Sequence, residues 1–176
     1  MIRTNSTSHV PGLTSVLSSN HQETVFEKRR GVSAVEIQQG YTSVHIDHLT
    51  GCLAKERIKI LEIIANKNIS IQFLKLTLNG LAFVIQESDI PKVQDALHPY
   101  KKELIIYPSR SIVLVYAVNM RDEEGLIAKI VSIAITNQIK MNHLSDMHDR
   151  LLILTDAQQA PLLAHSIKQE MMEKMC

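Results

Sequence analysis

The sequence says the same thing twice. Ala65-Asn66-Lys67-Asn68-Ile69-Ser70-Ile71-Gln72-Phe73-Leu74 closes one amphipathic segment and opens an apolar strand, and Ile135-Thr136-Asn137-Gln138-Ile139-Lys140-Met141-Asn142-His143-Leu144 does so again 70 residues later. A repeat of this length dictates two copies of one compact unit. It leaves no third region large enough for a catalytic domain, which points to a regulatory or binding module. Units of about 70 residues are marginal alone, so each needs cover from the other for its sheet and helices.

The order of elements within the units follows from periodicity. In the first, Ser33 to Ile37 and Tyr41 to Asp47 alternate as strands, Val44 and Ile46 against Ser43 and His45, with a turn at Gln39-Gly40. A helix from about Lys55 to Asn66 carries Ile58, Leu61, Ile64 and Ala65 on one stripe. Ile69 to Leu78 and Leu81 to Gln86 read as a hairpin on a type I′ Asn79-Gly80 turn. Ser88 or Asp89 caps a short helix with Pro91 in its first turn, ended by His98-Pro99.

The second unit repeats this order. Glu103 to Tyr107 and Ser111 to Val118 read as strands, Gly125 to Thr136 as a helix, and Ile139 to Leu144 with Arg150 to Leu154 as a hairpin. A last helix runs from near Asp156 to about Lys174, its start limited by Pro161. Each unit is the split β-α-β-β-α pattern with one more strand, the ferredoxin-like arrangement. The expected fold is therefore α+β, with two ferredoxin-like βαββαβ units whose sheets pair side by side and whose helices lie on one face. Residues 1–30, rich in Ser, Thr, Asn and His, read as an arm; 31–100 form the first unit and 101–176 the second, with strands that can interlock between them.

Composition excludes several classes. A 176-residue chain with 45% hydrophobic and 21% charged residues is ordinary for a soluble globular protein. Its apolar runs, such as Ile112 to Val118, are too short to span a membrane, and the first residues are too polar for a signal peptide. A cytoplasmic location is expected. A net charge of +1 steers the chain toward neither nucleic acid nor an anionic membrane, and the strands lack the stacked aromatic pairs of an RNA-binding sheet. Cys52 and Cys176 are too few for a disulfide framework or a thiolate metal site.

Short motifs resemble a known family. A lead strand, a turn, a first strand and a helix ending in Ala65-x-x-x-Ile69-x-Ile71 resemble tandem ACT domains, and specifically the regulatory region of aspartate kinases. That family's second repeat reads Val-Gly-x-Gly-Met-Arg, then a Pro-Gly loop, a helix and Ile-Asn-Ile. The matching residues here are Tyr116, Ala117, Val118, Asn119, Met120 and Arg121, then Gly125, then Ile139, Lys140 and Met141. Val32-Ser33-Ala34-Val35 resembles the family's lead strand, and Ile2-Arg3-Thr4 with Gly12-Leu13-Thr14 resembles the segment that follows the kinase domain.

The resemblance implies an amino-acid effector site where the strand-to-helix loop of one domain meets the helix-to-strand corner of its partner. A helix N-terminus there offers free N–H groups to an α-carboxylate. The implied residues are His48, Thr50, Gly51, Cys52 and Leu53 in the first loop and Ser70, Ile71 and Gln72 at the first corner. From the second unit come Met120, Arg121, Asp122, Gly125 and Leu126, with Lys140, Met141 and Asn142. The pattern departs from the family: both loops lack the Pro, Ser70 and Lys140 stand where Asn is common, and the first loop, His48 to Ala54, reads as four residues longer than its counterpart.

Other residues have plainer readings. Asp122, Glu123 and Glu124 suit a helix N-terminus as well as an ammonium group. His143 and His148 beside Asp146 and Asp149 lack a third spaced metal ligand and read as a polar hairpin rim. Cys52 reads as a small filler rather than a reactive thiol, and Glu27-Lys28-Arg29-Arg30 as a solvated run. Met171, Met172 and Met175 serve helix packing and partner docking equally well.

The leading functional reading is an amino-acid-sensing regulatory region or subunit of an aspartate kinase, with lysine, threonine or diaminopimelate as the effector class. It implies a homodimer, a kinase catalytic domain or subunit as partner, and no cofactor, catalytic residue or metal ligand in this chain. The alternative is a diverged tandem ACT protein that serves as a dimerisation or partner-binding module. Catalysis by the chain itself is disfavoured, because neither the Lys-Phe-Gly-Gly-Thr-Ser opening of the kinase domain nor a glycine-rich phosphate loop is present.

Overall fold

The computed structural model describes residues 31–118 and 124–172, so the N-terminal arm and the end of the methionine-rich tail lie outside the described residues. The elements run β1 (Gly31–Ile46), α1 (Leu53–Asn66), β2 (Phe73–Leu76), β3 (Leu81–Gln86), α2 (Ile90–Ala96), β4 (Leu104–Val118), α3 (Leu126–Thr136), β5 (Met141–Asp146), β6 (Arg150–Asp156) and α4 (Ala160–Met171). The strands form one antiparallel six-stranded sheet in the order β2-β3-β1-β4-β6-β5.

Two long strands hold this sheet together. The turn expected at Gln39-Gly40 does not reverse the chain: Gly40 takes a φ of 80°, the register slips between Gln38 and Tyr41, and β1 continues through a bulge. β4 likewise joins the two strands read separately in the sequence. Pro108, which has no N–H to give, falls in the adjoining register shift, where Tyr41 pairs with Arg110 and Ser43 with Tyr107. Residues Tyr41–Ile46 of β1 pair with β3 on one side and with the start of β4 on the other, while Val32–Gln38 pair with Ile112–Ala117 of β4. The half-sheet β4-β6-β5 thus takes its fourth strand from the far end of the chain.

Alternation assigns the two faces. Val113, Val115, Leu151 and Ile153 join α3 and α4 in one core; Val44, Ile46, Phe83 and Ile85 join α1 and α2 in a second. The residues between them, Ile112, Leu114, Leu152, Leu154 and Val84, join Tyr41 and Phe73 in a third cluster to which none of the described helices contributes. All four helices therefore share one face. The sheet curls around the other, bringing the Phe73 and His143 rings of its two edge strands to 4.9 Å.

Several local readings change in the structure. The buried stripe of α1 centres on Ile60 and Ile64, and Ile58 is 57% exposed. α4 starts at Ala160, since Asp156 is still in β6, and Pro161 sits harmlessly in its first turn. β2 is only four residues long, and neither Asn79 nor Gly80 has the positive φ of a type I′ turn. Gly80 is required for a different reason: a Cβ there would overlap the carbonyl oxygen of Ile46. The first loop is not extended either. Residues 47–52 separate β1 from α1 and 119–125 separate β4 from α3, and the extra length lies in α1, with 14 residues against 11 in α3.

Candidate functional site

The loop after β1 is held by backbone bonds on both sides. The Asp47 N–H donates to the Glu103 carbonyl at 3.1 Å and the Leu49 N–H to the Asn79 carbonyl at 2.9 Å. Arg57 of α1 donates to the carbonyls of Gly80, at 3.0 Å, and Thr77, tying the helix to the same turn. This bracing shapes a polar cavity of about 260 Å³ lined by His48, Leu49, Thr50, Glu56, Pro99, Tyr100 and Glu103.

Two carboxylates dominate that cavity. The Tyr100 hydroxyl donates to Glu56 Oε2 at 2.9 Å, and burial, followed by this bond, pushes the phenol up to about 12. Tyr100 therefore stays a neutral donor that fixes Glu56. Beside the cavity, α1 begins at Leu53 with no side-chain cap on its first N–H groups. Carboxylates near uncapped helix amides match the two ends of an amino acid, an ammonium and a carboxylate.

The structure distributes the sequence-derived site residues over separate places. His48 and Thr50 line the polar cavity; Gly51 and Cys52 are exposed at the start of α1, and Leu53 is half-buried. Cys52, read as a filler, is a free and exposed thiol. Ser70 and Gln72 are exposed, whereas Ile71 packs against the α1–α2 core. Leu126 is buried in the α3–α4 core, which makes it a packing residue, because it opens a helix whose inner face is apolar. Gly125 caps that helix at a φ of 79°. Met120, Arg121 and Asp122, with Glu123, lie outside the described residues.

The second corner is ordered by its own bonds. The Lys140 N–H donates to Gln159 Oε1 at 3.1 Å and its carbonyl accepts from Thr155 Oγ1 at 2.8 Å. Met141 and Asn142 line a groove with Leu74, Lys75, Val131 and His143 where the sheet edges approach. Neither this corner nor Ser70–Gln72 lines the His48 cavity.

A second, inner hollow of about 80 Å³ lies between the edges, on the helix-free face, lined by Ser43, His45, Phe73, Lys75, Thr77 and Asn142 among others. The Ser43 hydroxyl and His45 Nε2 are hydrogen-bonded at 2.9 Å, and the His45 and Tyr107 rings meet edge-on at 5.0 Å. Burial pulls His45 below its ordinary value, Lys75 and Arg110 add to this, and Asp47 opposes it; burial and then Lys75 do the same to His143. His143, with its ring against Phe73, therefore faces the hollow, whereas Asp146, His148 and Asp149 are exposed at the hairpin as a polar rim. Asp149, its supposed neighbour, instead pairs with Arg150 at 2.7 Å. Among the described residues, no three His, Cys, Asp or Glu side chains form a metal-sized cluster.

No motif in the sequence marks this hollow. The alternation of Ser43 and His45 against Val44 and Ile46 is legible, but only the curl of the sheet shows that the polar face is drawn into a hollow, half-burying His45 and His143 and leaving Lys75 and Asn142 exposed.

The same architecture is found in solved structures. The regulatory subunit of aspartate kinase from Thermus thermophilus, in its ligand-free form, superposes with a TM-score of 0.70 over 80% of this chain and 97% of its own, at 15% identity. The fold is that of an aspartate kinase regulatory subunit. Clostridium acetobutylicum aspartate kinase matches with a TM-score of 0.71 at 15% identity, over 81% of this chain and 36% of that one. Escherichia coli aspartokinase III, in complex with lysine and aspartate, matches at 0.63 and 12% identity over 83% of this chain and 34% of that one. No protein-family model and no curated protein matches the sequence. No helix among the described residues is long and apolar enough to cross a membrane.

Proposed function

We propose that this chain is an amino-acid-sensing regulatory module of an aspartate kinase, taking a lysine-, threonine- or diaminopimelate-class effector beside the start of α1. The observation that carries this reading is the carboxylate-lined cavity of His48, Thr50, Glu56 and Glu103, next to uncapped helix amides. The likeness to regulatory subunits over almost their whole length supports it. In this reading Glu56 and Glu103 hold the ammonium and the first N–H groups of α1 the α-carboxylate. The corner Lys140–Asn142 of a second copy closes the site, since the chain's own corner does not reach it. Binding then shifts an equilibrium between two arrangements of the chain that a kinase catalytic partner reads.

Thermal unfolding with each of the three amino acids tests the proposal. One of them should raise the midpoint saturably, following RT ln(1 + [L]/Kd), and Glu56→Gln should weaken that response at least tenfold. No response to any of the three at millimolar concentration sinks it.

A further inference from the structure

The register of the sheet places two rows of side chains on the helix-free face. Phe73 on β2 pairs with Val84 on β3, which pairs with Ser43 on β1; one step along, Lys75 pairs with Ala82 and Ala82 with His45. The second row sets two nitrogen-bearing side chains on either side of a methyl group, across strands about 5 Å apart. Ala82 is too small to fill the space between them, and a hollow results. From the opposite edge, β5 closes it: the register slips between Met141 and His143, and at this bulge the consecutive residues Asn142 and His143 both line the hollow.

The charge of this hollow is one-sided. Its lining contains Lys75, His45, His143, Asn142, Ser43 and Thr77, and no carboxylate. Among the described residues Lys75 makes no ion pair. Arg110 acts on His45 from β4, and the opposing group is Asp47, which accepts from Thr77 Oγ1 at 3.4 Å. A volume of about 80 Å³ holds several waters or one small polyatomic ion, and the adjoining groove past Leu74 and Met141 leaves room for the remainder of a larger molecule.

We infer that this hollow is a second binding site, for the oxyanion end of a small molecule, a carboxylate or phosphate group, held by the exposed Lys75 and Asn142 and flanked by the half-buried imidazoles of His45 and His143. An ammonium from Lys75 supplies the charge, the Asn142 amide a directed donor, and the ring edge of Phe73 packs one wall. Within one chain the hollow shares no lining residue with the effector cavity, whose lining is acidic; Asn142 is the one group it has in common with the corner that a second copy brings to that cavity. A bound anion also favours the charged imidazoles, so a fully ionised carboxylate should bind more tightly as pH falls through the histidine range.

The test is thermal unfolding of the full chain with sodium acetate, sodium malonate or inorganic phosphate, against sodium chloride of equal ionic strength, at about pH 6 and about pH 8. The wild-type chain should show a saturable rise on the order of 3–6 °C at ten times Kd, absent with chloride. For the carboxylates the rise should be larger at the lower pH. A response confined to phosphate, or to the carboxylates, assigns the ligand class. Lys75→Met should abolish the response, whereas Glu56→Gln, which disables only the effector cavity, should keep it. The imidazole proton resonances of His45 and His143 should move with the same anion. An unaltered response in Lys75→Met, imidazole signals that stay still, or no response beyond chloride would each overturn the inference.

Discussion

His45 sits half-buried beside Ser43 on a face that none of the described helices covers, and with His143 it faces the ammonium of Lys75. Both imidazoles have folded-state values below 6.5, so under mildly acid conditions the unfolded chain binds more protons than the folded one. Stability contributed by these two groups is therefore constant above about pH 6.5 and declines as pH falls, levelling once the folded imidazoles have also charged. Urea unfolding at stepped pH should show this decline in anion-free buffer, and the double variant His45→Gln with His143→Gln should flatten it. An equally steep acid slope in the double variant would assign the effect to carboxylates instead.

At the scale of elements, α1 shows how far periodicity reaches. Ile60 and Ile64 are fully buried, whereas Ile58 is largely exposed. Ile60→Ala should cost about 2–5 kcal/mol and Ile58→Ala less than about 0.5 kcal/mol, read by chemical denaturation. The existence and order of the four helices were legible from apolar spacing and from Pro91 and Pro161. The phase of the α1 stripe was not, because Ile58, Ile60, Leu61, Ile63 and Ile64 crowd one short segment and a stripe can be drawn through several sets of them. The long strands were misread as pairs of shorter ones for a related reason. Gly40 and Pro108 are local punctuation, and only the partner strand decides whether such a residue ends a strand or bulges it. Of the candidate sites, the His48 loop was legible from the repeat. The inner hollow was not, since it depends on β2 and β5 meeting although they stand at opposite ends of the sheet order.

At the scale of the whole molecule, the backbone edges of β2 and β5 have no hydrogen-bonded neighbour among the described residues, and on β2 the apolar Leu74 and Leu76 are exposed, followed by Leu78 at 87%. Such an edge invites a second copy. Sedimentation should give a dimer at micromolar concentration, and Leu76→Glu should raise its dissociation constant at least tenfold; a monomer throughout would refute the pairing. The shared long strands have a further consequence, in time rather than in space. Residues 31–38 leave the ribosome roughly 80 residues ahead of the segment 112–118 that pairs with them, a wait of roughly 4–16 s at ordinary synthesis rates. Through that interval Val32, Val35 and Ile37 have no strand to lie against. The nascent chain is thus exposed to misassociation along the first half of β1, and that exposure lasts until the segment that pairs with it in β4 has been synthesised.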